Sequence, residues 1–150
     1  MEFIDFHIHI FPDFIANKAA DSIRTFYSFG NDGMDGTKEM LLRRTESLGY
    51  SRYVLLPVVI HPDKTRHINE FAISQQQTDP RFISFGTIHA EMENITDEVD
   101  FIMDRGLHGL KLHPDSQVFA IDDPRLFPVY DMIGEKLPII FHMGDQRYDY

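Results

Sequence analysis

Asp5-Phe6-His7-Ile8-His9 stands near the start of the chain and alternates polar and apolar residues. That alternation reads as a β-strand, since side chains change face with period two. Ile4, Phe6, Ile8 and Ile10 then share one face, and Asp5, His7 and His9 the other. Two imidazoles two residues apart on a strand point the same way and can grip one metal ion. A strand whose polar face simply meets solvent gives the same pattern, so this run alone leaves both readings open.

Further strands are expected at 52–60, 82–89, 109–113 and 138–143, after a first strand at 3–10. Helical spacing of apolar residues covers 14–29, 38–48, 65–78, 96–105 and 124–136. Thr37 is the expected N-cap of the second helix and Gly49 its stop, while Asp123 and Pro124 take the N-cap and N1 positions of the last. Strands alternating with helices imply βαβ units and a parallel sheet. Pro57 cannot donate to a ladder, so a bulge or the end of the second strand is expected beside it.

The repeat is roughly 30 residues, close to that of a (β/α)8 TIM barrel. The expectation is therefore an α/β chain forming about the first five βα units of such a barrel. It would be a single domain, the N-terminal portion of a larger one apparently truncated after residue 150. A five-stranded doubly wound sheet is the alternative. It is disfavoured because no glycine-rich phosphate loop follows the first strand.

The 150 residues carry 24 acidic and 14 basic side chains, a net charge of −10. Such a balance argues against a nucleic-acid or anionic-membrane partner, which needs clustered Lys and Arg. Cysteine is absent, so disulfides and thiolate zinc sites are excluded and any metal must use His and carboxylate. The longest apolar run, around residues 54–60, is far too short to cross a bilayer. Cytoplasmic residence is expected.

The same parity applies further along. In Gly109-Leu110-Lys111-Leu112-His113-Pro114, Lys111 and His113 share the face opposite the leucines. In Ile139-Ile140-Phe141-His142-Met143-Gly144, His142 lies opposite Ile139 and Phe141, and the third strand ends in His89. Four strands thus carry a histidine at or near the C-terminal end, where parallel-barrel enzymes place their sites. Buried imidazoles and a lysine need partners, and a metal with its surrounding groups supplies them.

These three motifs, in this order, resemble the amidohydrolase superfamily, in particular the branch containing aminocarboxymuconate-semialdehyde decarboxylase and related metal-dependent hydrolases. The resemblance implies a divalent metal, commonly zinc with manganese as an alternative, held by His7, His9 and His142. It also implies a later-strand histidine and aspartate, which do not occur in these 150 residues. Three neutral imidazoles would leave positions open for water, which a metal turns into a nucleophile.

The remaining candidates carry two readings each. Lys111 is either a charged partner of the substrate carboxylate or an interior lysine paired with Asp5. His113 lines the pocket as a catalytic residue or caps local structure. Asp5 orients a ligand imidazole or faces solvent, and His89 contacts substrate or has no role. His61 could also reach substrate, while His67 and His108 read as surface or structural positions. Arg147 adds a second cation for a carboxylated substrate.

The leading function is hydrolysis of a small amide or lactone, and the runner-up is non-oxidative decarboxylation of a small carboxylic acid. A phosphoesterase and a non-catalytic binding domain are further alternatives, and a homo-oligomer is an open possibility.

Overall fold

A computed structural model of the chain describes residues 2–30 and 33–143. Arg147 and Gly144 lie outside the described residues. Five strands form two small parallel sheets, one of three strands and one of two. The expected TIM barrel is not seen among the described residues. The strands, only three to six residues long, are too few and too short to give the continuous staggered ladder that closure requires. The chain divides into two compact units, Met1–Leu55 and Leu56–Tyr150.

In the first unit, β1 (Phe3–Ile8) pairs in parallel with β2 (Tyr50–Leu55). The crossover carries α1 (Asp13–Tyr27), α2 (Lys38–Thr45) and a 3-10 turn, Glu46–Leu48. The Thr37 side chain caps α2 by accepting the Met40 N–H at 3.1 Å. Gly49 closes the turn at φ 77°, a left-handed conformation that favours glycine. β2 ends at Leu55, two residues before Pro57, as the missing N–H requires.

The simple two-faced reading of β1 fails. Asp5 pairs with Tyr53 and Ile8 with Leu55, so β1 spends one residue more than its partner between those points. An extra residue of this kind shifts every later side chain to the other face. Ile8 and Ile10 are accordingly buried, while Ile4 and Phe6 are 51% and 61% exposed. The unit's core is built from Ile8, Ile10, Ala16, Leu41, Tyr53, Val54 and Leu55. Tyr53 brings its hydroxyl inside, where it meets Thr45 Oγ1 at 2.7 Å.

The second unit contains α3 (Thr65–Thr78), β3 (Phe82–Ser84), α4 (Ile95–Asp104), β4 (Leu110–Leu112), α5 (Pro114–Gln117), α6 (Phe127–Ile133) and β5 (Ile139–Phe141). β4 and β5 run parallel, with Leu110, Lys111 and Leu112 opposite Ile139, Ile140 and Phe141. The chain beyond β3 joins β4 through one bridge, Gly86 to Leu110. Gly86 donates to the Gly109 carbonyl and accepts from the Lys111 N–H, both at 2.8 Å.

Glycine is needed at both ends of that bridge. A Cβ on Gly86 would sit 2.8 Å from Ile102 of α4, and one on Gly109 only 2.3 Å from the Phe85 ring. One face of this ladder therefore packs on helix α4, while Phe85 lies over the other. Asp123 caps the turn Pro124–Leu126 by accepting the Arg125 N–H at 2.9 Å. Its carboxyl is held low, at about 2, chiefly by the Arg125 side chain.

Candidate functional site

In the first unit, β1 brings His7 and His9 together. Their Nε2 atoms are 3.1 Å apart, with ring centroids at 5.0 Å and planes inclined by 63°. At that distance one ring can donate to the other, an arrangement in which their tautomers differ. The same spacing fits chelation. At metal–nitrogen distances of ~2.0–2.1 Å it corresponds to an angle of about 100° at the ion, between octahedral and tetrahedral. Both side chains are exposed. Asp5 does not orient an imidazole here, since its Oδ1 accepts the backbone N–H of His7 at 3.3 Å.

The remaining candidates belong to the second unit. His142, expected as the third ligand, stacks on His113 with centroids 4.0 Å apart and planes within 10°. The register explains the stack, because the residues after Leu112 and Phe141 continue the pairing, and His142 donates its N–H to the Leu112 carbonyl at 2.9 Å. Among the described residues, no group of three or more His, Asp or Glu side chains is arranged to hold an ion.

His113 serves as a cap as well as a candidate catalyst. It precedes α5, a short helix not anticipated from the sequence, and its Nδ1 accepts the Ser116 N–H at 3.3 Å. A neutral ring with Nδ1 accepting carries its proton on Nε2. His89 is arranged alike, with Nδ1 accepting the Glu91 N–H at 3.2 Å. Burial is the main cause pushing the His89 imidazole below its ordinary range, so it is neutral near pH 7. His61 is exposed and acts on His89 electrostatically. His67 lies 3.5 Å from Glu70 on the surface of α3, and His108 is exposed, donating its N–H to Ser84 before β4.

Lys111 is 1% exposed. Its Nζ has no hydrogen-bond partner among the described residues. Loss of hydration lowers its pKa from 10.5 to about 8. Asp5, its alternative partner by strand parity, belongs to the first unit and Lys111 to the second.

Two amide side chains that the motifs did not point to position this face. Asn69 on α3 is fully buried and satisfies both backbone groups of Thr87, accepting its N–H at 2.8 Å and donating to its carbonyl at 2.9 Å. The same Nδ2 donates to Glu98 at 2.7 Å, and Arg66 closes on the other Glu98 oxygen at 2.8 Å. Gln117 accepts the His113 N–H and donates to the Ile88 carbonyl, each at 2.7 Å. These amides do for Thr87 and Ile88 what a longer ladder would do, which is why β3 ends at Ser84 and not at His89. A signal for Asn69 existed in the sequence: it stands one turn before Ile73, on the face of α3 that also buries Ala72.

Open depressions on the described residues include one along α1 and one lined by Ile121, Tyr130, Ile133, Ile139 and Phe141. Neither is lined by a histidine or by Lys111. Comparison with protein families, curated proteins and solved structures finds no match for this chain. No helix among the described residues is long and apolar enough to cross a membrane.

Proposed function

We propose that this chain carries out metal-dependent hydrolysis of a small amide or lactone in the cytoplasm, as its likeness to the amidohydrolases implies. The observation that supports the reading best is the His7–His9 pair, with its two Nε2 atoms 3.1 Å apart on one strand. A divalent ion held there, zinc by preference, would act as a Lewis acid and lower the pKa of a bound water. The chain's own residues have distinct tasks. His7 and His9 present their Nε2 lone pairs. In the second unit His113, with Nδ1 engaged by Ser116, keeps its proton on Nε2. Lys111 offers a cation to a substrate carboxylate.

Decarboxylation is kept as a second reading because one observation favours it: a buried lysine whose Nζ has no hydrogen-bond partner among the described residues suits a carboxylated substrate. The test is to strip the protein with a chelator, restore zinc or manganese, and assay small lactones, amides and aromatic carboxylic acids with detection of CO2. Hydrolysis that returns with metal and is lost in His7→Ala and His9→Ala supports the proposal. Metal-dependent CO2 release without hydrolysis favours the second reading. Turnover indifferent to the chelator, or no turnover on any substrate, contradicts both.

A further inference from the structure

Just past α4 and α6 the chain turns through Gly106 and Gly134, at φ 70° and 49°. At the end of α5 the residue with positive φ is Val118, held left-handed at φ 56° and ψ 62°. Glycine is the default after a helix because it has no Cβ, and a β-branched side chain is the poorest fit. Packing does not offset the strain, since Val118 is 63% exposed.

The neighbours show what the turn achieves. Gln117 and Phe119 are each 3% exposed, so a left-handed residue between them sends both side chains inward. The N–H groups of Val118 and Phe119 both return to the Pro114 carbonyl, the latter at 3.3 Å. Residues 116 and 117 then hold His113. The Ser116 N–H lies on its Nδ1 at 3.3 Å, the Gln117 N–H on its carbonyl at 2.9 Å, and Gln117 Oε1 accepts its N–H at 2.7 Å.

This grip is costly within the same few residues. Asp115 Oδ2 and Ser116 Oγ are buried without a hydrogen-bond partner among the described residues, and such groups destabilise the state that buries them. With the strain at Val118, the costs fall on residues 115, 116 and 118 of one short turn. A segment so placed opens at lower free energy than the ladder beside it.

We infer that residues 114–118 form a strained latch on His113, which opens as a unit while the rest of the second unit stays folded, with Val118 setting how readily it does so. Closed, the latch fixes the His113 ring with its proton on Nε2, stacked on His142. Open, Ser116 and Gln117 release the ring and backbone of His113, Asp115 and Ser116 reach water, and Val118 relaxes to an ordinary conformation. The inference needs neither metal nor substrate and stands apart from the proposed hydrolysis.

Amide hydrogen exchange of the full chain, followed by NMR at a series of low urea concentrations, tests it. The amides of Ser116, Gln117, Val118 and Phe119 should be at least tenfold less protected than those of Leu110 and Lys111 in β4. Urea should hardly speed them, because the opening exposes little surface. That measurement needs no variant. Val118→Gly and Val118→Asn should then raise protection of the four latch amides roughly tenfold, as relief of one left-handed residue does. Both replacements tolerate this conformation, and asparagine keeps a side chain, so a gain shared by the two reports strain and not glycine's flexibility. Equal protection of latch and β4 amides in the wild type, a urea dependence matching that of β4, or no gain in either variant would overturn the latch.

Discussion

Lys111→Met should make the protein more stable at pH 7, by on the order of 3 kcal/mol. The pKa of Lys111 falls from 10.5 to about 8 on folding because burial strips water from the ammonium, and each tenfold loss of proton affinity is worth ~1.36 kcal/mol. The sign follows from proton counts. Between about pH 8 and pH 10.5 the unfolded chain holds this proton and the folded chain does not, so wild-type stability rises with pH across that window. Below about pH 8 the full cost is present. Met has similar length and no charge, so it removes the cost without opening a cavity. Urea unfolding at pH 7 and at pH 10.5 checks this. The variant's advantage should be large at the lower pH and shrink at the higher. A Met variant less stable than wild type at pH 7, or an advantage that does not change with pH, would contradict it. Such a trade, stability given up for a poised cation, is common at functional sites.

Asn69→Leu should act in the opposite direction and cost about 4 kcal/mol. Leucine keeps the branched shape of asparagine but is bulkier, so at a fully buried position the effect combines lost hydrogen bonds with some overpacking. The substitution leaves the Thr87 N–H and carbonyl without partners and takes one donor from Glu98, all of them buried. Each orphaned buried group costs roughly 1–3 kcal/mol. For a chain of this size that amounts to about 10 °C in thermal midpoint. Asn69→Asp should be no better, since it sets a second carboxylate against Glu98. Thermal unfolding followed by circular dichroism reads both. A midpoint for Asn69→Leu within about 2 °C of wild type would show that Thr87 is held by something else.

The sequence was informative wherever one local rule governed the outcome. Every expected strand is present. Thr37 and Asp123 cap as their side chains allow, and Pro57 lies just beyond the end of β2. The register that pairs β4 with β5 carries His142 onto His113.

Parity failed where the ladder itself is irregular. The extra residue in β1 between Asp5 and Ile8 cannot be seen in an alternating sequence, because the residues that cause it alternate like any others. The same blindness applies to β3. Nothing in Phe82-Ile83-Ser84-Phe85-Gly86-Thr87 says that side chains from α3 and α5 will take over the backbone groups of its extension. Those pairings are made by Asn69 and Gln117, which lie 18 and 29 residues away from their partners Thr87 and Ile88. The barrel expectation rested on repeat length, and repeat length does not say whether strands are long enough to close.

Zinc binding by the His7–His9 pair is the central claim, and calorimetric titration of chelator-treated protein with zinc tests it most directly. The geometry predicts binding to the wild type that weakens at least tenfold in His7→Ala and in His9→Ala. It predicts no change in His67→Ala, whose ring is exposed on another element. Affinity and stoichiometry unchanged by either strand substitution would contradict the account, because the 3.1 Å approach of the two imidazoles would then be a hydrogen bond and nothing more.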